Sequence, residues 1–202
     1  MKNMDLSAVI LTGGKSSRMG GRDKAMLPIA GKPIVENTIE ILKSIFDEIL
    51  IVTNEIRNYE YSGVAFVRDV IKGIGPLGGI YTGLCAVNKK AAFIVACDMP
   101  FLNRGVILKI IGAFKDSDCD VLLPRIGDRI EPLCAVYKSF LKDEIQKYIR
   151  DNQDYSIKNF LKDVKVGYLD CENDDFYAHA FKNVNTPEDA RAIMPLGRKE
   201  FL

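Results

Sequence analysis

The sequence has almost no net charge and no long uninterrupted apolar run. Its 28 Lys and Arg residues and 27 Asp and Glu residues leave a formal charge of +1, so no overall field draws the chain to nucleic acid or to a membrane surface. The longest apolar stretch, residues 91–102, is interrupted by Asp98 and Pro100 and is too short to span a bilayer. Any affinity for anions must therefore be local.

Cysteine is scarce, and its spacing matches no metal or disulfide motif. The chain has five cysteines, an odd number, and no pair has CxxC spacing. Most of them lie among apolar residues, which predicts reduced thiols packed as small hydrophobic side chains. The N-terminal residues also lack the long apolar core of a signal peptide. We therefore expect a cytoplasmic protein with no structural zinc site.

Short apolar runs alternate with amphipathic stretches along the chain. The apolar runs predict strands at residues 7–12, 48–53, 63–67, 91–96, 120–123, 131–137, 164–169 and 181–184. Helical periodicity predicts helices at residues 33–45, 77–87, 103–114 and 139–150.

Strands that alternate with helices imply a parallel sheet covered by helices on both faces. Residues 131–137 follow no clear helix, so that strand is expected to run antiparallel or to lie at an edge. With no linker or internal repeat in the sequence, the prediction is one domain over residues 1–202. Its fold class is a three-layer α/β/α, Rossmann-like arrangement with a mostly parallel sheet and an antiparallel edge strand.

Residues 11–24 (LTGGKSSRMGGRDK) place four glycines and four basic side chains directly after the first predicted strand. Glycines there let the backbone expose a row of N–H donors that can cradle an anion, and Lys and Arg add positive charge around it. A flexible loop with solvated charges is the alternative, but the position after the strand favours a triphosphate site. The P-loop and GxGxxG motifs are both absent, which disfavours an ATPase or a dehydrogenase.

Two further loops follow predicted strands, at the sheet edge where open α/β folds bind ligands. Residues 72–79 (KGIGPLGG) suit either close approach of the backbone to a base or ribose, or tight packing of a helix on the sheet. Asp98 follows the strand at 91–96, where a carboxylate suits Mg²⁺ held together with phosphate oxygens. Its alternative use is to cap the turn ahead of Pro100.

Residues 11–27 (LTGGKSSRMGGRDKAML) resemble the LxGGxSxRMGxDKxxL signature of the molybdenum cofactor guanylyltransferases, with one extra residue before Asp23-Lys24. Residues 75–79 (GPLGG), 96–100 (ACDMP), 131–137 (EPLCAVY) and 183–190 (NVNTPEDA) are similar to later blocks of that family, in the same order. Sugar-phosphate nucleotidyltransferases and the cytidylyltransferases of isoprenoid synthesis place proline where this chain has Asp23.

The resemblance implies a nucleotidyltransferase that moves GMP from GTP to the terminal phosphate of molybdopterin and releases pyrophosphate. It assigns catalysis to Lys24, Arg18 and Asp98, and it makes Asp98 the ligand of Mg²⁺, with Mn²⁺ left open. The implied nucleotide-binding residues are Leu11, Thr12, Gly13, Gly14, Lys24, Asn54, Asp69 and Asp98. The implied acceptor-binding residues are Asn183 and Asn185, although Asn185, Thr186 and Pro187 also suit a plain helix start.

Other functions stay open at this stage. A cytidylyltransferase for the same cofactor, a cobinamide-phosphate guanylyltransferase and a non-catalytic nucleotide-binding regulator are the alternatives. The implied partners are GTP and molybdopterin, with cofactor-carrier proteins and molybdenum apo-enzymes, and with neither nucleic acid nor membrane. His179 is expected to be structural, since an attacking phosphate needs no base. Glu131 either lines the site or starts an edge strand.

Overall fold

The computed structural model of the protein describes residues 5–12, 28–29, 31–54, 61–71, 73–171, 175–184 and 189. These residues form, in chain order, β1 (Leu6–Leu11), β2 (Pro28–Ile29), β3 (Lys32–Pro33), α1 (Ile34–Lys43), β4 (Ile49–Thr53), β5 (Ala65–Arg68), α2 (Pro76–Ala86), β6 (Ala91–Ala96), α3 (Arg104–Lys115), β7 (Val121–Ile126), β8 (Arg129–Ile130), β9 (Cys134–Lys138), α4 (Leu141–Asp151), α5 (Ile157–Phe160), a 3-10 turn (Leu161–Asp163), β10 (Val166–Asp170) and α6 (Asp175–Ala180).

The described strands build an eight-stranded sheet in the order β10-β7-β9-β6-β1-β4-β5, with the short β8 paired to β7. The strands β6, β1, β4 and β5 run parallel to one another. On the other side, β9 runs antiparallel to both β6 and β7, and β10 runs parallel to β7. The mostly parallel sheet predicted from the sequence is confirmed.

The strand β1 shows why the helices lie on both faces of the sheet. All six of its residues are buried, as expected for a strand in the middle of a parallel sheet. Its alternate side chains Ala8 and Ile10 pack with α1 and α3, and Val9 and Leu11 pack with α2 and α4. The predicted three-layer arrangement is therefore confirmed. The described part of the chain contains no helix long and apolar enough to cross a membrane.

The antiparallel strand β9 is internal, not at the edge where it was expected. The hairpin from β7 through β8 reverses the chain direction, and β9 then inserts between β7 and β6. Its residues Cys134, Ala135, Val136 and Tyr137 are buried on both faces. A buried apolar run looks the same in the sequence whatever its direction and neighbours, so position in the sheet could not be read from it.

The predicted strand at residues 181–184 is wrong. Phe181 begins a turn directly after α6, and residues 182–184 have no regular structure. Phe181 and Val184 are buried because α6 and this segment close one end of the core, not because they pair in the sheet. The helices α5 and α6 were missed because each is shorter than the window in which helical periodicity is visible.

Two local features complete the fold. Asn103 caps α3, since its Oδ1 accepts a hydrogen bond from the N–H of Val106 at 3.1 Å. All five cysteines are free thiols, and all except Cys85 are buried.

Candidate active site

Four residues predicted from the sequence follow four neighbouring parallel strands. Thr12 comes after β1, Asn54 after β4 and Asp69 after β5, and Asp98 lies two residues past the end of β6. Because parallel strands end at the same edge of the sheet, the structure brings these side chains to one edge. The strands β1, β4 and β6 are buried along their whole length, and the polar residues follow where each strand ends.

The end of β1 is fixed by hydrogen bonds to both neighbouring strands. The N–H and the hydroxyl of Thr12 both donate to the carbonyl of Val52, at 3.0 and 3.1 Å. The carbonyl of Leu11 accepts the N–H of Cys97 at 3.1 Å. The Thr12 hydroxyl proton is therefore used in a hydrogen bond within the sheet. The main chain at Leu11 and Thr12 has a fixed direction where it leaves β1.

Asp69 carries a carboxylate that is held in place by hydrogen bonds. Its N–H donates to the carbonyl of Thr53 at 3.0 Å. Its Oδ1 accepts the hydroxyl of Thr82 at 2.9 Å and the N–H of Ile71 at 3.2 Å. Oδ2 takes part in neither bond, so one carboxylate oxygen holds the loop after β5 while the other remains for a different partner.

The glycines of the GPLGG segment bring α2 against the sheet. A Cβ on Gly78 would lie 2.8 Å from the carbonyl oxygen of Ile71, and one on Gly79 would lie 3.3 Å from the side chain of Leu11. Gly75, which precedes α2, has a φ of 71°, a conformation that favours glycine. Close packing therefore explains Gly78 and Gly79, one of the two uses left open by the sequence.

Asp98 lies beside a second carboxylate. Glu131 precedes β9 and is buried, with 6% of its surface exposed. Burial raises the pKa of Glu131 and the negative charge of Asp98 raises it further, while the guanidinium of Arg129 opposes both. Glu131 does not start a strand, since β9 begins at Cys134, and it lies at the edge of the sheet that carries Asp98.

The donor set at Asp98 suits a hard divalent cation. The described residues hold no group of three or more His, Cys, Asp and Glu side chains that could bind a metal unaided. Mg²⁺ needs no such group, because it is commonly held by one or two carboxylates, water and substrate phosphates. The Asp98 carboxylate therefore fits Mg²⁺, provided that a phosphate supplies the remaining ligands.

The segment after α6 brings Asn183 close to Asp98, at the carboxyl edge of the sheet. The N–H of Val184 donates to the carbonyl of Asp98 at 2.8 Å, so Asn183 lies next to the end of β6. The Oδ1 atom of Asn183 is buried and accepts no hydrogen bond from the described part of the chain. Buried amide oxygens normally accept a hydrogen bond, so this atom is suited to accept a hydrogen bond from a ligand.

Arg129 connects this segment to the sheet, a contact that the sequence analysis missed. Its Nε lies 2.6 Å from Oε1 of Glu131, and its Nη2 donates to the carbonyl of Phe181 at 3.4 Å. Nearby, the ring of His179 stacks on Phe101 with centroids 4.0 Å apart, which agrees with the structural role predicted for His179. The only sequence signal for Arg129 was the charged Arg129–Glu131 pair ahead of an apolar strand.

Several predicted site residues lie outside the described residues. They are Gly13, Gly14, Arg18 and Lys24 of the glycine-rich loop, and Asn185 of the segment after α6.

The chain is similar to known proteins over most of its length. Residues 8–166 match the family model of the MobA-like NTP transferase domain. A protein of Natranaerobius thermophilus named probable molybdenum cofactor guanylyltransferase is 38% identical, over 97% of this chain and 98% of its own. A molybdenum cofactor guanylyltransferase of Desulfosudis oleivorans is 32% identical, over 96% of this chain and 98% of its own.

Among solved structures, the molybdopterin-guanine dinucleotide biosynthesis protein A of Archaeoglobus fulgidus superposes with a TM-score of 0.80. That protein is 25% identical, and the match covers 96% of this chain and 100% of the other. The resemblance that the glycine-rich loop first indicated thus extends over almost the whole chain. The chain belongs to the MobA-like NTP transferase family, together with proteins named molybdenum cofactor guanylyltransferase.

Proposed function

We propose that the protein transfers GMP from GTP to the terminal phosphate of molybdopterin, releasing pyrophosphate and forming the guanine dinucleotide form of the molybdenum cofactor. The observation that carries this proposal is the convergence of Thr12, Asn54, Asp69 and Asp98 at the carboxyl edge of four parallel strands. The names of the relatives support the choice of guanine and of molybdopterin.

The reaction needs no protein nucleophile. A terminal phosphate oxygen of molybdopterin forms a bond to the α-phosphorus of GTP, while the bond from that phosphorus to the bridging oxygen breaks and its electron pair leaves with pyrophosphate. Negative charge develops on the equatorial and leaving oxygens, so catalysis depends on positioning and on fixed positive charge. In this proposal the triphosphate is positioned by the backbone N–H groups of Gly13 and Gly14. The positive charge comes from the side chains of Arg18 and Lys24.

Asp98 is the residue that would hold Mg²⁺, with Mn²⁺ as the alternative. Such an ion, when bound, supplies positive charge to the phosphate oxygens. What Asp98 itself contributes is a carboxylate fixed at the end of β6, with its backbone carbonyl bonded to Val184 at 2.8 Å. The neighbouring carboxylate of Glu131 is the poorer candidate, because burial raises its pKa and so disfavours the charged form that a metal ligand needs.

The nucleoside and the acceptor have separate proposed contacts. The main chain at Leu11 and Thr12, together with Asn54 and Asp69, would bind the guanine and the ribose, whose N–H and O–H groups suit carboxylate and amide acceptors. On the other side of Asp98, Asn183 and Asn185 would bind the pterin edge. The buried, unpartnered Oδ1 of Asn183 within the described chain supports the acceptor side.

We also propose that the product passes directly to carrier proteins and to molybdenum apo-enzymes, because the cofactor is reactive and sensitive to oxygen.

The five free thiols support a reducing compartment, for which we propose the cytoplasm. The single domain over residues 1–202 stays a prediction.

Pyrophosphate release tests the proposed function directly. The wild type, Lys24→Ala and the control Lys115→Ala are assayed with Mg²⁺ and molybdopterin, using GTP, CTP, ATP or UTP. Lys115 ends α3, away from the carboxyl edge of the strands. We expect turnover with GTP alone, and a loss of about 100-fold or more in Lys24→Ala with no loss in the control.

The other outcomes separate the alternatives. Turnover with CTP in place of GTP would make the protein a cytidylyltransferase for the same cofactor, with the same fold and phosphate loop. GTP binding without turnover would favour the non-catalytic regulator and overturn the proposed reaction.

A further inference from the structure

Thr82 is a buried polar residue in the middle of the helix α2. Only 1% of its surface is exposed, and the neighbouring helix residues Ile80, Gly83 and Leu84 are buried as well. Its hydroxyl donates to Oδ1 of Asp69 at 2.9 Å and accepts the N–H of Val70 at 3.2 Å. Both bonds leave the helix and reach the loop after β5.

This use of a helical threonine is unusual. Threonine inside a helix commonly returns its hydroxyl to the carbonyl four residues earlier, as Thr38 does to Ile34 at 3.1 Å. The hydroxyl of Thr82 instead connects two different elements of the fold. A hydroxyl that was hydrogen-bonded only within α2 would make no contact with the loop after β5.

Close packing fixes the distance between α2 and the loop after β5, which the Thr82 hydroxyl bridges. A Cβ on Gly78 would lie 2.8 Å from the carbonyl oxygen of Ile71, and one on Gly83 would lie 2.7 Å from the side chain of Val9. The helix therefore touches the loop after β5 on one side and β1 on the other. Because protein interiors are packed too densely for α2 to shift freely, the Thr82 hydroxyl has one available position.

The consequence falls on Asp69. Its backbone N–H is bonded to Thr53 at 3.0 Å, and its Oδ1 is bonded to Thr82 at 2.9 Å and to the N–H of Ile71 at 3.2 Å. With one oxygen held from two sides, the carboxylate cannot rotate, and Oδ2 keeps one direction. Holding a binding group in place before the ligand arrives reduces the entropic cost of binding.

We propose that Thr82 is a positioning residue for nucleotide binding, which fixes the carboxylate of Asp69 through its buried hydroxyl. This inference rests on the proposed function, since it takes Asp69 as a contact of the nucleoside. Thr82 itself touches no substrate. It acts through Asp69, and it explains why a hydroxyl is found at a buried position of an otherwise apolar helix.

The test measures GTP binding by calorimetry and steady-state transfer in Thr82→Val, Thr82→Ser and the control Thr38→Val. Valine keeps the shape of threonine and removes the hydroxyl. We expect Thr82→Val to weaken GTP binding and to raise the KM for GTP about 10-fold, the low end of the effect of losing one hydrogen bond to a charged group. The KM for molybdopterin stays the same, Thr82→Ser restores binding, and Thr38→Val does not change it.

A double-mutant cycle separates positioning from a general structural effect. Asp69→Ala removes the group that Thr82 is proposed to hold, so Thr82→Val adds little further loss of GTP affinity in that background. The proposal is overturned if Thr82→Val binds GTP as tightly as the wild type, or if it weakens binding by the same factor with and without Asp69.

The same experiment distinguishes failure of this inference from failure of the proposed function. A wild type that binds GTP but transfers no GMP overturns the proposed reaction, while the binding series on Thr82 still supports or overturns the positioning role. Normal transfer with an unchanged Thr82→Val overturns the positioning role alone. A wild type that binds no GTP overturns both.

Discussion

At the scale of single residues, one acidic group at the carboxyl edge of the sheet lies where burial disfavours its charge. This group is Glu131, which is buried and lies beside Asp98. Its ion-pair partner Arg129 has a side chain that is 63% exposed. Burial and Asp98 together outweigh Arg129, so the pKa of Glu131 is raised. The charged form of Glu131 is therefore less favourable in the folded protein than in the unfolded chain.

This gives a prediction for Glu131→Gln. Because the pKa of Glu131 is higher in the folded state, the folded protein binds more protons, and its stability falls as pH rises through the window above about 4.5. Glutamine does not titrate, and the exposed Arg129 is not left as a buried, unpaired charge. We therefore expect the free energy of unfolding of the wild type to fall relative to Glu131→Gln as the pH rises above about 4.5.

Urea denaturation across that pH range measures the difference. Glu40→Gln is the control, because Glu40 forms an exposed ion pair with Lys32, and exposed pairs contribute only about 0–1 kcal/mol. If the wild type instead gains stability over Glu131→Gln as pH rises, the ion pair with Arg129 affects the pKa of Glu131 more than burial does. The pKa of Glu131 is then lowered on folding, and the prediction is wrong.

The residue scale also shows what the sequence could and could not reveal. Thr12, Asn54, Asp69 and Asp98 each follow a recognisable apolar strand, and ligands at such sheets bind beyond the strand ends, so their meeting at one edge was predictable. Thr82 was not predictable, because its bond to Asp69 spans 13 positions and depends on how closely α2 packs.

At the scale of elements, α2 depends on glycines that serve packing. Ordinarily, glycine inside a helix costs about 0.5–1 kcal/mol relative to alanine. Gly83 is kept in α2 because its position faces Val9 of β1 at a distance that leaves no room for a methyl group. Gly112 in α3 differs, because a Cβ there would meet no atom within 4 Å.

The two glycines give opposite predictions. Gly83→Ala should destabilise the protein by about 1–3 kcal/mol, the range for overpacking a tight core. Gly112→Ala should stabilise it by about 0.5–1 kcal/mol, because alanine favours the helix and nothing is displaced. Thermal and urea unfolding of both variants measure the difference. Equal effects of the same sign would show that α2 does not touch β1 as closely as the structure indicates.

The strands and long helices were predictable from periodicity, and the exceptions share a physical cause. The internal position of β9 depends on which strands it pairs with, and pairing partners leave no mark in a buried apolar run. The segment with the buried residues Phe181 and Val184 was predicted to be a strand because these residues are apolar, whereas it follows α6 and pairs with no strand of the sheet. In both cases the apolar pattern reports burial, and the type of element depends on contacts distant in sequence.

At the scale of the whole molecule, the sheet divides into two parts that meet at Asp98. The parallel strands β5, β4, β1 and β6 present Asp69, Asn54 and Thr12 on one side. On the other side, β9 and the segment that contains Asn183 complete the edge, with Val184 bonded to the carbonyl of Asp98. If the two parts bind GTP and molybdopterin respectively, Asp98 lies where the two phosphates must meet.

This position predicts that Asp98 connects metal binding to nucleotide binding. A ligand that binds only the folded state adds RT ln(1 + [L]/Kd), about 2.7 kcal/mol at a concentration of 100 Kd. For the wild type, we expect GTP to raise the melting temperature more with Mg²⁺ than with EDTA. In Asp98→Asn, the increment that depends on Mg²⁺ should disappear, while stabilisation by GTP without metal remains.

The control for this measurement is Asp116→Asn, at the exposed C-terminal end of α3. Mg²⁺ also binds GTP in solution, but it does so equally for all three proteins, so a difference between them reports the carboxylate at position 98. Loss of the Mg²⁺ increment in Asp98→Asn alone would assign the metal to the junction between the two parts of the sheet. If Asp98→Asn keeps the full increment, the ion is held by other residues and the proposed role of Asp98 is wrong.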